Sequence, residues 1–148
     1  MPKILIAYAS LTGNTEKMAQ YIAEGVRFSG CEAVVKNISA IKEANALDGF
    51  SGYIFGSPTY HRDMTGNMKT FLFLAKRANL EGKLAGAFGS YTHSGDAPLL
   101  ILETMEYIFK MEPFELRSFN LKEALIDIAD GIRACQDYGR VFGEKLRS

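Results

Sequence analysis

The sequence predicts one three-layer α/β domain, doubly wound around a mainly parallel sheet of five strands. Short apolar runs alternate with segments of helical periodicity throughout the 148 residues, which is the pattern of a parallel sheet with crossover helices. The first run is almost continuously apolar, as a strand buried on both faces should be. No internal repeat, linker or low-complexity tract interrupts the alternation. We therefore expect residues 1–148 to form a single domain.

The composition excludes several classes of partner. The chain has 17 basic and 17 acidic residues, and this zero net charge argues against nucleic acid or an anionic membrane surface as the partner. No stretch is long and apolar enough to span a membrane, and the N-terminus is unlike a signal peptide, so a cytoplasmic location is expected. Cys31 and Cys135 lack metal-ligand spacing, so they are expected to be reduced structural thiols, and no metal site is expected.

The first strand and the first helix flank a short polar turn. The strand is predicted over Lys3–Ala9, and the helix that follows has an apolar face formed by Met18, Ala19, Ile22, Ala23 and Val26. At such a junction the first N–H groups of the helix lack intrahelical partners, and the helix dipole adds partial positive charge. The junction therefore favours a bound anion.

The side chains of this turn favour a phosphate. Its residues are Ser10, Leu11, Thr12, Gly13, Asn14 and Thr15. Three hydroxyl groups and one amide offer hydrogen-bond donors, and Gly13 allows close approach of the backbone. The turn contains no lysine and no G-x-G-x-x-G pattern, which excludes a Walker A loop and a dinucleotide fingerprint. The donors suit one terminal phosphate group.

The remaining elements follow in alternation. Strands are predicted over Ala33–Ile38, Gly49–Gly56, Leu84–Ser90 and Glu115–Phe119. Helices are predicted from Ser39 to about Leu47, after Gly66, after Pro98 to about Lys110, and in a long final segment with an apolar stripe of Leu125, Ile128, Ile132, Cys135, Phe142 and Leu146. The second strand has mixed patterning, which indicates an edge position.

Two further loops carry flat side chains. The loop after the third strand begins with Ser57, Pro58, Thr59, Tyr60 and His61, and the loop at the end of the fourth strand contains Ser90, Tyr91, Thr92, His93, Ser94 and Gly95. Because the carboxyl ends of parallel strands meet at one edge of the sheet, these loops should open beside the phosphate turn. Aromatic and imidazole groups next to backbone donors suit a planar heteroaromatic ring. A phosphate and a planar ring together describe a mononucleotide, and FMN fits best.

These three segments resemble the flavin-binding loops of flavodoxins, and the match spans the chain. The stretch from Ala134 to Arg140 also resembles the flavodoxin domain of flavodiiron proteins. The resemblance implies a short-chain, flavodoxin-like sheet of order 2-1-3-4-5 with FMN bound through the residues of the three loops. It further implies a monomer or weak dimer that carries low-potential electrons from a reductase or ferredoxin-like donor to a downstream acceptor, with the redox chemistry supplied by FMN.

Two features depart from that family. Many flavodoxins have a glycine beside the flavin where this chain has His61, Arg62 and Asp63. In those flavodoxins a peptide bond beside this glycine turns over and hydrogen-bonds a nitrogen of the reduced flavin ring. Non-glycine residues resist positive φ, which argues against the same peptide movement in this chain. Flavodoxins are also usually acidic, whereas this chain is neutral. A cation at Arg62 favours the anionic reduced ring, while an uncharged phosphate turn and apolar ring contacts disfavour it, and the sequence leaves that balance open.

An enzyme on the same fold is the alternative. The segments Pro58–Tyr60 and Gly66–Met68 also resemble FMN-dependent NAD(P)H or quinone oxidoreductases. A signalling receiver domain shares the layered topology but needs acidic residues after the first strand, where this chain has Ala9 and Ser10. The sequence therefore favours an electron carrier and leaves direct oxidation of NAD(P)H as the second hypothesis.

Overall fold

A five-stranded parallel sheet forms the centre of the computed structural model, which describes all residues from Met1 to Ser148. Its strands are β1 Lys3–Tyr8, β2 Glu32–Asn37, β3 Gly52–Gly56, β4 Leu84–Tyr91 and β5 Glu112–Lys122. The order across the sheet is β2-β1-β3-β4-β5, and every neighbouring pair is parallel. This confirms the predicted fold class and strand order, and it places β2 at an edge.

Four α-helices cover the two faces of the sheet, instead of the five predicted. They are α1 Asn14–Phe28, α2 Gly66–Ala75, α3 Ala97–Glu103 and α4 Ala129–Arg147, and α3 continues into a π-helical turn, Thr104–Ile108. No helix combines the length and apolarity needed to cross a membrane.

The helix predicted from Ser39 is absent. Two 3-10 turns, Ile38–Ala40 and Ala44–Leu47, occupy the segment instead. Ile38 and Leu47 are both buried. Between the two turns, Ile41 and Glu43 have extended backbone with φ angles of −101° and −136°, so the helical hydrogen bonding is interrupted there.

β5 is longer than predicted and irregular. Pro113 pairs with Ala85, and Ser118 pairs with Ala87, so residues 114–117 of β5 lie opposite the single residue 86 of β4. Arg117 has a φ of 55° within this bulge. A bulge distorts the ladder and discourages pairing of an exposed edge with another chain. The simple strand pattern of the sequence did not reveal it.

α4 begins later than the apolar stripe suggested. Leu125 and Ile128 precede the helix and are 43% and 50% exposed, so their assignment to the core stripe was wrong. Cys135 and Phe142 are buried as predicted, and Tyr138, which the stripe omitted, is also buried.

Alternating residues of β1 enter two separate cores. Ile4 and Ile6 pack in the core beneath α1 and α4, whereas Leu5 and Ala7 pack in the core beneath α2 and α3. α1 and α4 contact each other closely through glycine: a Cβ at Gly25 would lie 1.8 Å from the carbonyl oxygen of residue 136. Both cysteines are free and buried, and burial raises the pKa of Cys135 to about 12, which fits the predicted structural role.

Candidate functional site

The three predicted loops meet at the carboxyl edge of the sheet. The hydroxyl oxygens of Thr15, in the first turn of α1, and Ser90, near the end of β4, lie 3.1 Å apart. The N–H of Thr59 donates to the carbonyl of Ser90 at 3.3 Å. The order of the strands produces this convergence, because β1, β3 and β4 are adjacent and parallel.

The phosphate turn, Ser10–Thr15, leads directly into α1. Gly13 precedes the helix with a φ of 90°, and a Cβ there would meet no atom within 4 Å. Its N–H donates to Ser10 Oγ at 2.9 Å, and the Asn14 amide donates to Thr12 Oγ1 at 3.2 Å. No side chain caps α1. The first N–H groups of the helix are therefore available to an anion.

Not every residue of this turn points toward a common centre. Thr15 and Ser90 are each 1% exposed and are bonded to each other. Leu11 is 66% exposed. The hydroxyls of Ser10 and Thr12 accept hydrogen bonds within the turn, so they fix its shape.

A cleft of about 320 Å³ lies between the second and third loops. It is lined by Thr59, Tyr60, His61, Arg62, Thr92, His93 and Ser94. Its volume is at the small end of the range of about 300–1,000 Å³ for small-molecule sites. Tyr60 lines the cleft and is 39% exposed, whereas Tyr91 is not among the lining residues. The lining contains no carboxylate.

A tight turn in the second loop forms one wall of this cleft. Tyr60 and Asp63 exchange two backbone hydrogen bonds of 2.8 and 3.0 Å, and the residues between them, His61 and Arg62, have φ angles of 50° and 63°. This is the geometry of a type I′ turn. The expectation that non-glycine residues would avoid positive φ here was wrong, because the paired backbone and the ion pair of Asp63 with Lys69 hold the turn.

Opposite charges are paired around the site. Arg62 Nε lies 3.6 Å from Asp96 Oδ2. Asp96 directly follows the third loop, so this ion pair links the second and third loops. On α1, Lys17 Nζ lies 2.8 Å from Asp127 Oδ2, and its hydrogen bond holds the pKa of Asp127 below the usual value. The edge of the sheet therefore has little net charge from these residues. No three His, Cys, Asp or Glu side chains are grouped closely enough to hold a metal ion.

Two predicted site residues, Ser57 and Thr59, hold the second loop in place through hydrogen bonds of their hydroxyl groups. Ser57 is fully buried, and its hydroxyl donates to the Pro58 carbonyl at 2.9 Å and accepts the Thr65 N–H at 3.2 Å. Thr59 lines the cleft, but its hydroxyl also accepts the N–H of Ala97 at 3.0 Å, at the start of α3. These bonds fix the path of the second loop and join it to α3.

Asn120 was missed by sequence reasoning. Its side-chain amide donates to the carbonyl of Gly95 at 2.8 Å and so contacts the third loop from β5. The pairing of Asn120 with Gly89 in the sheet brings it there. The bulge in β5 determines that register, and no local sequence motif indicates the bulge or the register.

Comparison with known proteins shows the family. The flavodoxin family model matches residues 6–110. A flavodoxin from Clostridium saccharobutylicum is 36% identical over 108 residues, covering 72% of this chain and 67% of that protein. An NAD(P)H dehydrogenase (quinone) from Archaeoglobus fulgidus is 31% identical over 122 residues, covering 66% of this chain and 64% of that protein.

Longer relatives and solved structures extend the similarity to almost the whole chain. A diflavin flavoprotein from Synechocystis is 33% identical across 99% of this chain, which spans only 24% of that protein. An archaeal flavodoxin superposes with a TM-score of 0.87 at 28% identity, covering 99% of both chains. The Flv1 flavodiiron core from Synechocystis superposes with a TM-score of 0.84 at 26% identity, with 99% and 36% of the two chains covered. The family match, the fold and the three loops at one sheet edge together show that this chain belongs to the flavodoxin family.

Proposed function

We propose that this protein is an electron carrier in which bound FMN passes low-potential electrons between redox proteins. Proteins of the flavodoxin family bind FMN. FMN supplies the redox chemistry, since it accepts and releases one or two electrons, and the protein supplies position and electrostatics. The observation that carries the proposal is the uncapped start of α1 beside a cleft lined by two loops.

The phosphate of FMN fits the first loop. The backbone N–H groups at the start of α1 lack side-chain acceptors, and Gly13 leaves open space where other residues carry a Cβ. The hydroxyls of Ser10 and Thr12 would add donors in the bound state, whereas the buried Thr15 hydroxyl is bonded to that of Ser90. The turn contains no basic side chain, so binding would depend on charge-assisted hydrogen bonds and the helix dipole.

The flavin ring fits between the second and third loops. Tyr60, His61 and His93 supply flat side chains to the cleft, and Thr92 and Ser94 supply hydroxyls at its other side. Arg62 brings a positive charge, but its side chain is 84% exposed and lies 3.6 Å from Asp96. Solvent and this carboxylate reduce its effect on the ring. The pairing supports the low-potential assignment.

We infer that the partners are a reductase or ferredoxin-like donor and a downstream acceptor protein. The charges near the site are balanced by the Lys17 and Asp127 pair and by the Arg62 and Asp96 pair. Association with either partner should therefore respond less to ionic strength than association guided by a strongly acidic face. The protein would act in the cytoplasm as a monomer or weak dimer.

Anaerobic reduction of the FMN-loaded protein tests the proposal. The apoprotein is mixed with FMN, freed of excess flavin, and titrated with a chemical reductant while the visible spectrum is recorded. A protein-bound flavin spectrum, a low midpoint potential and transfer of the electrons to an added acceptor protein are expected. Absence of any bound flavin would refute the proposal. A single high-potential two-electron wave would refute the low-potential assignment.

Direct oxidation of NAD(P)H is the second candidate function. Its support is the similarity to a relative named NAD(P)H dehydrogenase (quinone) and the exposed guanidinium of Arg62 at the cleft, which could attract a nucleotide phosphate. NADH and NADPH are each added to the FMN-loaded protein without oxygen. Rapid bleaching of the flavin would favour the enzyme, whereas an unchanged flavin spectrum would favour the carrier.

A further inference from the structure

We propose that Asn120, which lies outside the three loops, is a positioning residue. It fixes the wall of the flavin cleft that the third loop forms with Thr92–Ser94. The inference rests on the proposed binding of FMN in the cleft. It concerns the segment Thr92–Ser94, which faces Thr59–Arg62 across that cleft. Asn120 does not line the cleft, so its effect on FMN would pass through the loop.

The amide of Asn120 holds the end of this segment. Its Nδ2 donates to the carbonyl of Gly95 at 2.8 Å. At the other end, Ser90 is fixed by its hydroxyl contact with Thr15 and by the hydrogen bond that its carbonyl accepts from the N–H of Thr59. The residues of the wall therefore lie between two anchored points, and the side chain of Asn120 holds the one at Gly95.

Gly95 packs directly against the same amide. A Cβ on Gly95 would lie 2.6 Å from both Cγ and Oδ1 of Asn120 and 2.8 Å from Nδ2. An alanine at position 95 would therefore push the Asn120 side chain away from its place, which breaks the hydrogen bond to the Gly95 carbonyl. The φ of Gly95 is not in the left-handed region, so the backbone itself tolerates alanine.

The contact links the cleft to the irregular edge strand. Asn120 pairs with Gly89 in the register that follows the β5 bulge. The bulge lies at residues 114–117, away from the loops, yet it determines which residue of β5 lies beneath Gly95. A shift of one residue would turn the side chain to the other face of the sheet. The wall therefore depends on the register of β5.

A double-mutant cycle tests this role. The variants are Asn120→Ala, Gly95→Ala and the double variant, with Asn45→Ala as the control, because Asn45 is exposed and its side chain makes no hydrogen bond. The FMN dissociation constant of each apoprotein is measured by fluorescence titration, and the visible circular dichroism and midpoint potential of the bound flavin are recorded. Urea unfolding of each apoprotein reports its stability.

Asn120→Ala is expected to raise the FMN dissociation constant about threefold to tenfold, the range for loss of one hydrogen bond, and to alter the visible circular dichroism. Gly95→Ala should do the same. The double variant should be no worse than Asn120→Ala, because the new Cβ then meets no amide. Additive effects, or an unchanged dissociation constant and spectrum in Asn120→Ala, would overturn the inference.

The outcomes separate this inference from the proposed function. If the unaltered protein binds no FMN, the proposed function fails. If it binds FMN and Asn120→Ala binds FMN equally well with the same spectrum, only the role of Asn120 fails. Should Asn120→Ala be too unstable to purify, Gly95→Ala alone decides, since an unchanged FMN affinity in that variant also contradicts the inference.

Discussion

The hydroxyl oxygens of Thr15 and Ser90 lie 3.1 Å apart, fully buried, where the first turn of α1 meets the end of β4. The contact joins the phosphate turn to the third loop across 75 residues of chain. Because the two hydroxyls are bonded to each other, neither is a buried polar group without a hydrogen-bond partner.

We predict that Thr15→Val and Ser90→Ala each destabilise the apoprotein by about 1–3 kcal/mol, because each leaves the remaining buried hydroxyl without its hydrogen-bond partner. The double variant should lose less than the sum of the two, since it removes both polar groups. Urea unfolding of the three variants and the unaltered protein gives the coupling free energy. Strictly additive losses would show that the two hydroxyls do not interact.

The phosphate turn makes a separate prediction about affinity. Thr12→Val should weaken FMN binding by roughly 1.5–3 kcal/mol, the free energy of one charge-assisted hydrogen bond. Riboflavin, which lacks the phosphate, should bind the unaltered protein and this variant with similar affinity. Equal FMN affinity of the two proteins would mean that the phosphate binds elsewhere.

The buried hydroxyl of Tyr138 supports the irregular edge of the sheet. It accepts the N–H of Ala87 at 2.9 Å and donates to the Arg117 carbonyl, 2.5 Å away in the bulge of β5. Tyr138→Phe should lower the free energy of unfolding by about 1–3 kcal/mol, because it leaves buried backbone groups unpaired. Tyr21→Phe is the matched control, since the Tyr21 hydroxyl makes only an exposed contact with Asp127. Similar stability of the two variants in urea would contradict this account.

The sequence predicted the sheet and the three loops at the carboxyl ends of its strands, because both depend on local patterns. The apolar run of β1 and the turn that starts at Ser10 specify a buried parallel strand followed by a helix. Pro58 marks the end of β3, since proline cannot continue the ladder. Adjacent parallel strands then bring their loops together, so the meeting of the three loops followed from topology alone.

The features that the sequence did not predict depend on contacts between distant residues. Arg62 has a positive φ although it is not glycine, because backbone bonds of its neighbours and an ion pair hold the turn. Asn120 reaches Gly95 only after a bulge sets the register of β5. Tyr138 joins α4 to β4 and β5. None of these relations leaves a periodic signal in one segment.

The turn at His61 and Arg62 stores conformational strain. Both residues have positive φ, which costs an L-residue roughly 1–2 kcal/mol relative to glycine. Arg62→Gly should therefore raise the free energy of unfolding by up to about 1 kcal/mol, despite the loss of an exposed ion pair with Asp96 that is worth little. Arg62→Lys keeps both the charge and the strain and should leave stability nearly unchanged. A lower urea midpoint for Arg62→Gly than for Arg62→Lys would contradict the prediction.

The ion pair of Asp63 with Lys69 predicts a pH dependence at the base of the same turn. The hydrogen bond from Lys69 holds the pKa of Asp63 below its usual value. A carboxyl whose pKa is lower in the folded state stabilises the fold above its ordinary pKa, and this stabilisation is lost as the pH falls through the lowered value.

Lys69→Met should raise the pKa of Asp63 toward about 3.9, the value in model peptides. The accompanying loss of stability at pH 7 should stay below about 1 kcal/mol, because the side chains of Lys69 and Asp63 are 51% and 37% exposed and solvent screens the pair. The loss should vanish once the pH is below both pKa values. Carboxyl titration by NMR gives the pKa, and urea unfolding at pH 7 and at low pH gives the stability. Lys17→Met, which removes the partner of Asp127, is the control and should leave the pKa of Asp63 unchanged. An Asp63 pKa that is the same with and without Lys69 would contradict the prediction.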